Sequence, residues 1–203
     1  MDEATVNERV LDEAVRAIRR GGVIAMPTDT LYGLAVDPFR SEAVDRVFAV
    51  KGRAAERGLP LVAADVEQVK TSIGTLPPLA ARLASRFWPG PLTLLLVAPA
   101  TLPPALGGGT ASVGVRVPAH AVARALCRAC GCPLTATSAN MSGAAPSASP
   151  DDIARTLGGR IDVLVDAGMA PGGPPSTIVD ARGDAPVLVR QGVILWDEIR
   201  SCV

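Results

Sequence analysis

Apolar residues at positions 6, 10, 11, 14, 15 and 18 recur with helical spacing, and Gly21 with Gly22 supplies a stop. The pattern predicts an amphipathic opening helix. The unbroken apolar run 23–26, closed by Pro27, then predicts a short buried strand. Ser41 is placed as the N-cap of a second helix carrying Val44, Val47, Phe48 and Val50, which delivers Lys51 and Arg53 at its C-terminal end. A strand is expected from Leu59, a helix over 77–87, a rigid Trp-Pro-Gly-Pro turn from Trp88, and a central strand in LTLLLVA from Leu92. SVGVRV from Ser112 predicts another strand, 120–129 a helix, and PLTAT from Pro133 a strand. Ser149 caps a helix that has Pro150 at its first position, and strands recur near Val163, Thr177 and Val187. Without an internal repeat, charge block or long linker, this alternation predicts one α/β domain over residues 1–203 with a mixed sheet. The loops 107–110 and 169–175 are its expected mobile connections.

Composition narrows the function classes. An apolar share of 48% in 203 residues supports a sizeable core, and aromatics at 3% leave its filling to aliphatic side chains. Twenty basic and twenty acidic residues cancel, so no global field draws the chain to nucleic acid or membrane, and RNA contact would need a local basic patch. The apolar runs are too short to span a bilayer and positions 1–7 are polar and acidic, so a cytoplasmic location is expected. Cys127, Cys130 and Cys132 invite a zinc site, but further ligands would have to come from the isolated His120 and Cys202. The segment is read as reduced thiols at a helix end, and no metal ligand is assigned.

Four segments carry candidate chemistry. PTDTLYGL from Pro27 offers two hydroxyls, a carboxylate, a phenol and a glycine, which suits a ligand loop or a plain turn. Asp29 fits either a turn N–H acceptor or a catalytic carboxylate. Lys51 and Arg53 fit a charge cap at a helix C-terminus or a triphosphate clamp, which Arg57 and Arg116 would extend. Arg116 lies in an otherwise apolar strand, where a buried cation requires a carboxylate or phosphate partner, an internal salt bridge or an edge position. TATSANMSG from Thr135 runs from a strand into small polar residues able to address phosphate oxygens, although P-loop and dinucleotide glycine spacings are absent. Ser138 is rejected as a hydrolase nucleophile, because the chain has one histidine and no GxSxG elbow. That histidine, His120, is expected to cap a helix or lie at the surface.

In order, PTDTLYGL, KGR with LPLVAA, WPGPLTL, VGVRVP, TSANMSG, STIVD and VLVRQG resemble the YrdC-like family of threonylcarbamoyl-AMP synthases. The resemblance covers nearly the whole chain and fits the short form, without an extra C-terminal domain. It implies a twisted, largely open mixed sheet with flanking helices and a concave face for ATP and L-threonine. Threonine and bicarbonate (or CO2) would give an N-carboxy-threonine that attacks the α-phosphate, releasing pyrophosphate and threonylcarbamoyl-adenylate. A transferase complex would then move the threonylcarbamoyl group to the adenosine beside the anticodon of tRNAs reading codons that begin with A.

By the same resemblance, Thr30, Arg116, Ser176 and the backbone at Ala136 bind threonine. Lys51 and Arg53 hold triphosphate and act catalytically. Arg57, Ser112, Ser138, Asn140, Ser147 and Arg190 complete the ATP contacts, with Mg²⁺ held mainly by the phosphates. The chain departs from the family at Arg57, at Val62 where many members carry His, and in a Ser138-to-Ser147 spacing one residue longer than in some. Two other readings use the same fold: a tRNA or double-stranded RNA binding module, and a carbamoyl-phosphate enzyme, whose known forms are longer multidomain chains.

Overall fold

The structure, a computed structural model, describes residues 8–52 and 58–203. Its elements run α1 (Glu8–Arg19), β1 (Ile24–Met26), β2 (Gly33–Ala35), α2 (Ser41–Lys51), β3 (Leu61–Val62), α3 (Val66–Ser72), α4 (Pro78–Phe87) and β4 (Leu92–Val97). A 3-10 turn (Pro104–Gly107) follows, then β5 (Ser112–Arg116), α5 (Ala121–Cys130), β6 (Leu134–Thr135), β7 (Thr137–Ser138), α6 (Pro150–Leu157), β8 (Val163–Leu164), β9 (Thr177–Asp180), β10 (Val187–Arg190) and α7 (Trp196–Arg200). Val6 of the expected first helix, and Arg53 and Arg57, lie outside the described residues.

Local chemistry accounts for the helix ends. Ser41 is the first helical residue and Arg40 the N-cap, with no side-chain cap bond, which corrects the expected start by one position. The reason is a preceding turn: the Phe39 amide donates to Asp37 Oδ1 at 2.9 Å and the Arg40 amide to the Asp37 carbonyl at 3.3 Å. Gly52 ends α2 in the left-handed region at φ 60°, its amide reaching the Ala49 and Phe48 carbonyls, so the glycine of KGR is the helix stop. Ser149 caps α6 as expected by accepting from the Asp152 amide. His120 takes the N-cap position of α5, but its side chain makes no cap bond, which corrects half of that expectation.

The strands form two sheets where one was expected. The smaller has the order β7-β2-β1-β8 and the larger β10-β9-β4-β5-β3-β6, each mixing parallel and antiparallel pairs. The most direct passage between them is at Ala136: β6 pairs with β3 in the large sheet, and the next strand, β7, pairs with β2 in the small one. Val36 and Thr135 tie the two sheets together here. The Thr135 amide donates to the Val36 carbonyl at 3.1 Å, and the Val36 amide donates to Thr135 Oγ1 at 3.0 Å.

Two apolar clusters hold these layers. Leu83, Leu92, Leu94, Val115 and Val179 belong to the larger, and α1, α5 and β1 bury Ile18, Leu126 and Ile24 in the other. Each fully buried aliphatic side chain contributes about 1.5–3 kcal/mol. No described helix is long and apolar enough to cross a membrane.

Candidate active site

A cleft of 440 Å³ opens where the two sheets meet. The small sheet contributes Gly33, Thr137 and Ser138; the large sheet contributes Leu61, Val62, Thr93, Arg116, Ile178 and Arg190. Thr28 and Thr30 lie on one wall, and Gly173, Pro175 and Ser176 on another. Gly33 eases a close approach, since a Cβ there would stand a tight 3.3 Å from the Thr137 carbonyl oxygen.

The 28–31 turn is built by Thr28, whose Oγ1 donates to the Leu31 carbonyl at 2.8 Å and accepts from the Thr30 and Leu31 amides at 3.2 and 3.3 Å. Thr30 Oγ1 lies 3.1 Å from Thr28 Oγ1, and the Thr30 carbonyl accepts from the Gly172 amide at 2.8 Å. Tyr32 reaches the same loop from below, its hydroxyl donating to the Gly168 carbonyl at 2.8 Å and accepting from the Ala167 amide. Burial raises the Tyr32 pKa, so this hydroxyl keeps its proton. The 169–175 segment is thereby fastened to the turn it faces.

Asp29 does not serve the turn as an N–H acceptor, because Thr28 takes that role. Its Oδ1 instead lies 3.4 Å from Arg116 Nη2, both side chains being nearly buried. Neither Asp29 oxygen has a hydrogen-bond partner among the described residues, nor does Arg116 Nη1. Burial lowers the Arg116 pKa, Asp29 acts to raise it, and the nearby Arg190 lowers it again. The guanidinium remains charged. An unpaired buried donor costs about 1–3 kcal/mol, and more on a cation, a cost that an entering acceptor removes. Arg190 Nη2 donates to the Ser176 carbonyl at 2.8 Å, and burial lowers the Arg190 pKa as well. Two cations therefore line a cleft whose described lining includes no carboxylate.

Lys51 is 2% exposed and directs its ammonium at the Ser138 carbonyl (2.6 Å), the Asn140 carbonyl (3.1 Å) and Asn140 Oδ1 (3.0 Å). Ser138 Oγ donates to the same Asn140 Oδ1 at 2.6 Å. The lysine thus fastens the loop after β7, and Ser138 is its contact with the cleft.

Of the residues singled out in the sequence, Thr30, Arg116, Ala136, Ser138, Ser176 and Arg190 come together at the cleft. The Ala136 amide donates to the Pro60 carbonyl at 2.8 Å, so a ligand there meets the residue's carbonyl side. Ser176 Oγ lies 2.9 Å from Thr93 Oγ1. Lys51, Asn140, Ser112 and Ser147 are not among the lining residues. Ser112 Oγ pairs with Thr110 Oγ1 at 2.8 Å, and Ser147 Oγ donates to Asp152 Oδ2 at 3.0 Å and accepts from the Ser149 amide at the start of α6. Sequence reasoning missed Thr93, a polar residue inside the apolar run LTLLLVA, although a buried hydroxyl in such a strand is itself a signal. Away from the cleft, burial pushes the Cys130 thiol up to about 11 and Cys132 up to about 12, and raises Cys127 further. All three stay protonated at neutral pH. Among the described residues no group of three His, Cys, Asp or Glu side chains could hold a metal ion.

Fold and site together define a mixed α/β domain with a polar cleft, lined by two guanidinium groups, at a two-sheet junction. The sequence profile of the Sua5/YciO/YrdC family, described as telomere recombination, matches residues 16–192. The chain belongs to that family. It is 36% identical over 203 residues to the threonylcarbamoyl-AMP synthase of Bacillus subtilis, covering 100% of this chain and 59% of that protein. The threonylcarbamoyl-AMP synthase of Thiobacillus denitrificans is 42% identical over 163 residues, 80% of this chain and 86% of the relative. The crystal structure of Pyrococcus abyssi Sua5 complexed with L-threonine superimposes with a TM-score of 0.92 at 37% identity, over 97% of this chain and 58% of that one. The chain thus spans 59% of the length of the Bacillus relative.

Proposed function

We propose that the chain is a threonylcarbamoyl-AMP synthase, converting L-threonine, bicarbonate (or CO2) and ATP into L-threonylcarbamoyl-adenylate and pyrophosphate. The observation that carries this reading is Arg116: a buried guanidinium with an unpartnered Nη1, in a polar cleft also lined by Thr30. An amino-acid carboxylate would supply the missing acceptor, and in this reading the Thr30 hydroxyl meets the substrate hydroxyl. The relatives' names and the threonine bound in Pyrococcus abyssi Sua5 agree with that assignment.

The threonine amine adds CO2 and loses a proton, giving a carbamate. A carbamate oxygen attacks the α-phosphorus of ATP as the bond to the β-phosphate oxygen breaks, and pyrophosphate departs. No protein nucleophile is needed, and alignment of a transient carbamate with the triphosphate is worth about 7–11 kcal/mol if attack geometry is met. Ser138, backed by Asn140 and Lys51, addresses the phosphates from the small sheet, and Arg190 approaches from the large one. Arg53 and Arg57 extend the triphosphate contact in this reading, and Mg²⁺ arrives on the phosphates. The hydroxyl and guanidinium donors at the cleft fit phosphate oxygens better than a resident metal. The product passes to a transferase complex that modifies the adenosine beside the tRNA anticodon.

The test incubates purified protein with ATP, bicarbonate and L-threonine, measuring pyrophosphate and, by mass spectrometry, threonylcarbamoyl-adenylate. Both products are expected to depend strictly on threonine. Pyrophosphate release indifferent to threonine overturns the proposal.

A further inference from the structure

The cleft presents two guanidinium groups, Arg116 and Arg190, while the carboxylate nearest to Arg116 stands outside the lining. Asp29 follows Thr28 and precedes Thr30, both of which face the cleft, and its own side chain turns away to meet Arg116 Nη2. A structural role in the turn would give its oxygens amide partners. The available amides, those of Thr30 and Leu31, go to Thr28 Oγ1, and both Asp29 oxygens are left buried without a hydrogen bond. A buried carboxylate with no turn to hold is costly, and Arg116 is the cation it serves.

We propose that Asp29 is a positioning residue for the threonine site: it holds the Arg116 guanidinium through Nη2 from behind the cleft and leaves Nη1 as the donor for the substrate carboxylate. The inference rests on the threonine-binding reading above and adds a residue that reads the substrate only through another. With Arg116 anchored on one side, the substrate carboxylate meets a donor of fixed direction and need not order a mobile cation on binding. Asp29 also offsets part of the repulsion between Arg116 and Arg190, which lets two guanidinium groups share one cleft before any anion arrives.

Four proteins test this: wild type, Asp29→Asn, Arg116→Gln and the double variant, each assayed for KM of L-threonine, KM of ATP, kcat and melting temperature. Asp29→Asn is expected to raise the threonine KM by about 10- to 100-fold, the scale on which outer-shell partners act, with the ATP KM changed by less than about 2-fold. The double variant is expected to bind threonine no more weakly than Arg116→Gln, because Asp29 has nothing left to position. Should Asp29→Asn alone fail to fold through its unpaired buried cation, the double variant carries no such charge, and its comparison with Arg116→Gln decides the matter. An unchanged threonine KM in Asp29→Asn, equal losses for threonine and ATP, or multiplied losses in the double variant each overturn the inference while the synthase reading stands. Loss of threonine dependence in the wild type overturns both.

Discussion

Replacing Lys51 with Met removes an ammonium while keeping a long apolar side chain at a position 2% exposed. The loop after β7 loses a donor to the Ser138 carbonyl, the Asn140 carbonyl and Asn140 Oδ1, contacts of 2.6, 3.1 and 3.0 Å. Hydrogen bonds to a charged group contribute about 1.5–3 kcal/mol each. Water reaching the half-exposed Asn140 replaces part of this, so the net loss expected is about 3 kcal/mol. For a domain of this size that lowers Tm by about 6–12 °C. The assay is calorimetric or circular-dichroism melting without nucleotide, at a pH where the lysine is charged. ATP is then titrated into whatever remains folded, and its affinity is expected to fall because Ser138 and Asn140 are no longer fixed. A Lys51→Met protein melting within about 2 °C of wild type would refute the reasoning: the ammonium would then be a phosphate contact alone and the loop would stand without it.

Two further outcomes follow from the geometry. Gly192→Ala places a Cβ 2.0 Å from the Pro175 carbonyl oxygen and 2.6 Å from the Ser176 carbonyl carbon, both backbone atoms that no rotamer change relieves. A stability loss of about 1–3 kcal/mol is expected in urea unfolding, and an unchanged midpoint sinks the packing argument. His120, the one histidine in the chain, has its pKa lowered from 6.5 by burial, against an opposing pull from Asp29. The unfolded chain therefore takes up this proton first as pH falls, so the contribution is fully present above pH 6.5 and is lost as pH drops through the folded value. A single imidazole resonance followed by NMR should titrate below 6.5, and a midpoint above that value contradicts the burial described.

Much of the fold was legible because long periodic segments declare themselves locally. The apolar face of α1, the run in β4 and the Ser149 cap of α6 all lie where the pattern puts them. β2 was not legible, since its three residues are all buried and sit inside a polar motif. Nor was α3, seven residues long, whose N-cap Asp65 gives its only strong local signal. The division into two sheets depends on pairings between residues about a hundred positions apart, such as Val36 with Thr135, and no local window contains them.

The site was legible at the level of residue type more than of partner. Arg116 in an apolar strand announced its need for an anion, and the structure supplies half of that need in Asp29. PTDTLYGL stood open between a ligand loop and a plain turn, and Asp29 between an amide acceptor and a catalytic carboxylate; Thr28 takes the amides instead, because composition names the residues able to accept an N–H and only geometry shows which one does. Lys51 was read from its place at a helix end. Its acceptors are backbone carbonyls more than eighty positions downstream, and carbonyls leave no mark in a sequence. Arg53 and Arg57 lie outside the described residues, so their part in the clamp is read from the sequence.

The passage of one strand from the large sheet to the small one at Ala136 gives the protein an unusual tolerance profile. Thr135 is locked into β6 against Leu61, and two residues later Thr137 and Ser138 pair with Leu34 and Gly33. Side chains on a strand alternate faces with a period of two, so one inserted residue reverses the facing of everything beyond it. Ser138 would turn from the cleft and carry its carbonyl away from Lys51. A substitution at Ala136 leaves the register intact, whereas an insertion there displaces Ser138 and the loop after it while leaving the Arg116 side of the cleft in place. The bridge behaves as a gauge: its length, more than its composition, sets whether the two halves address the same molecule.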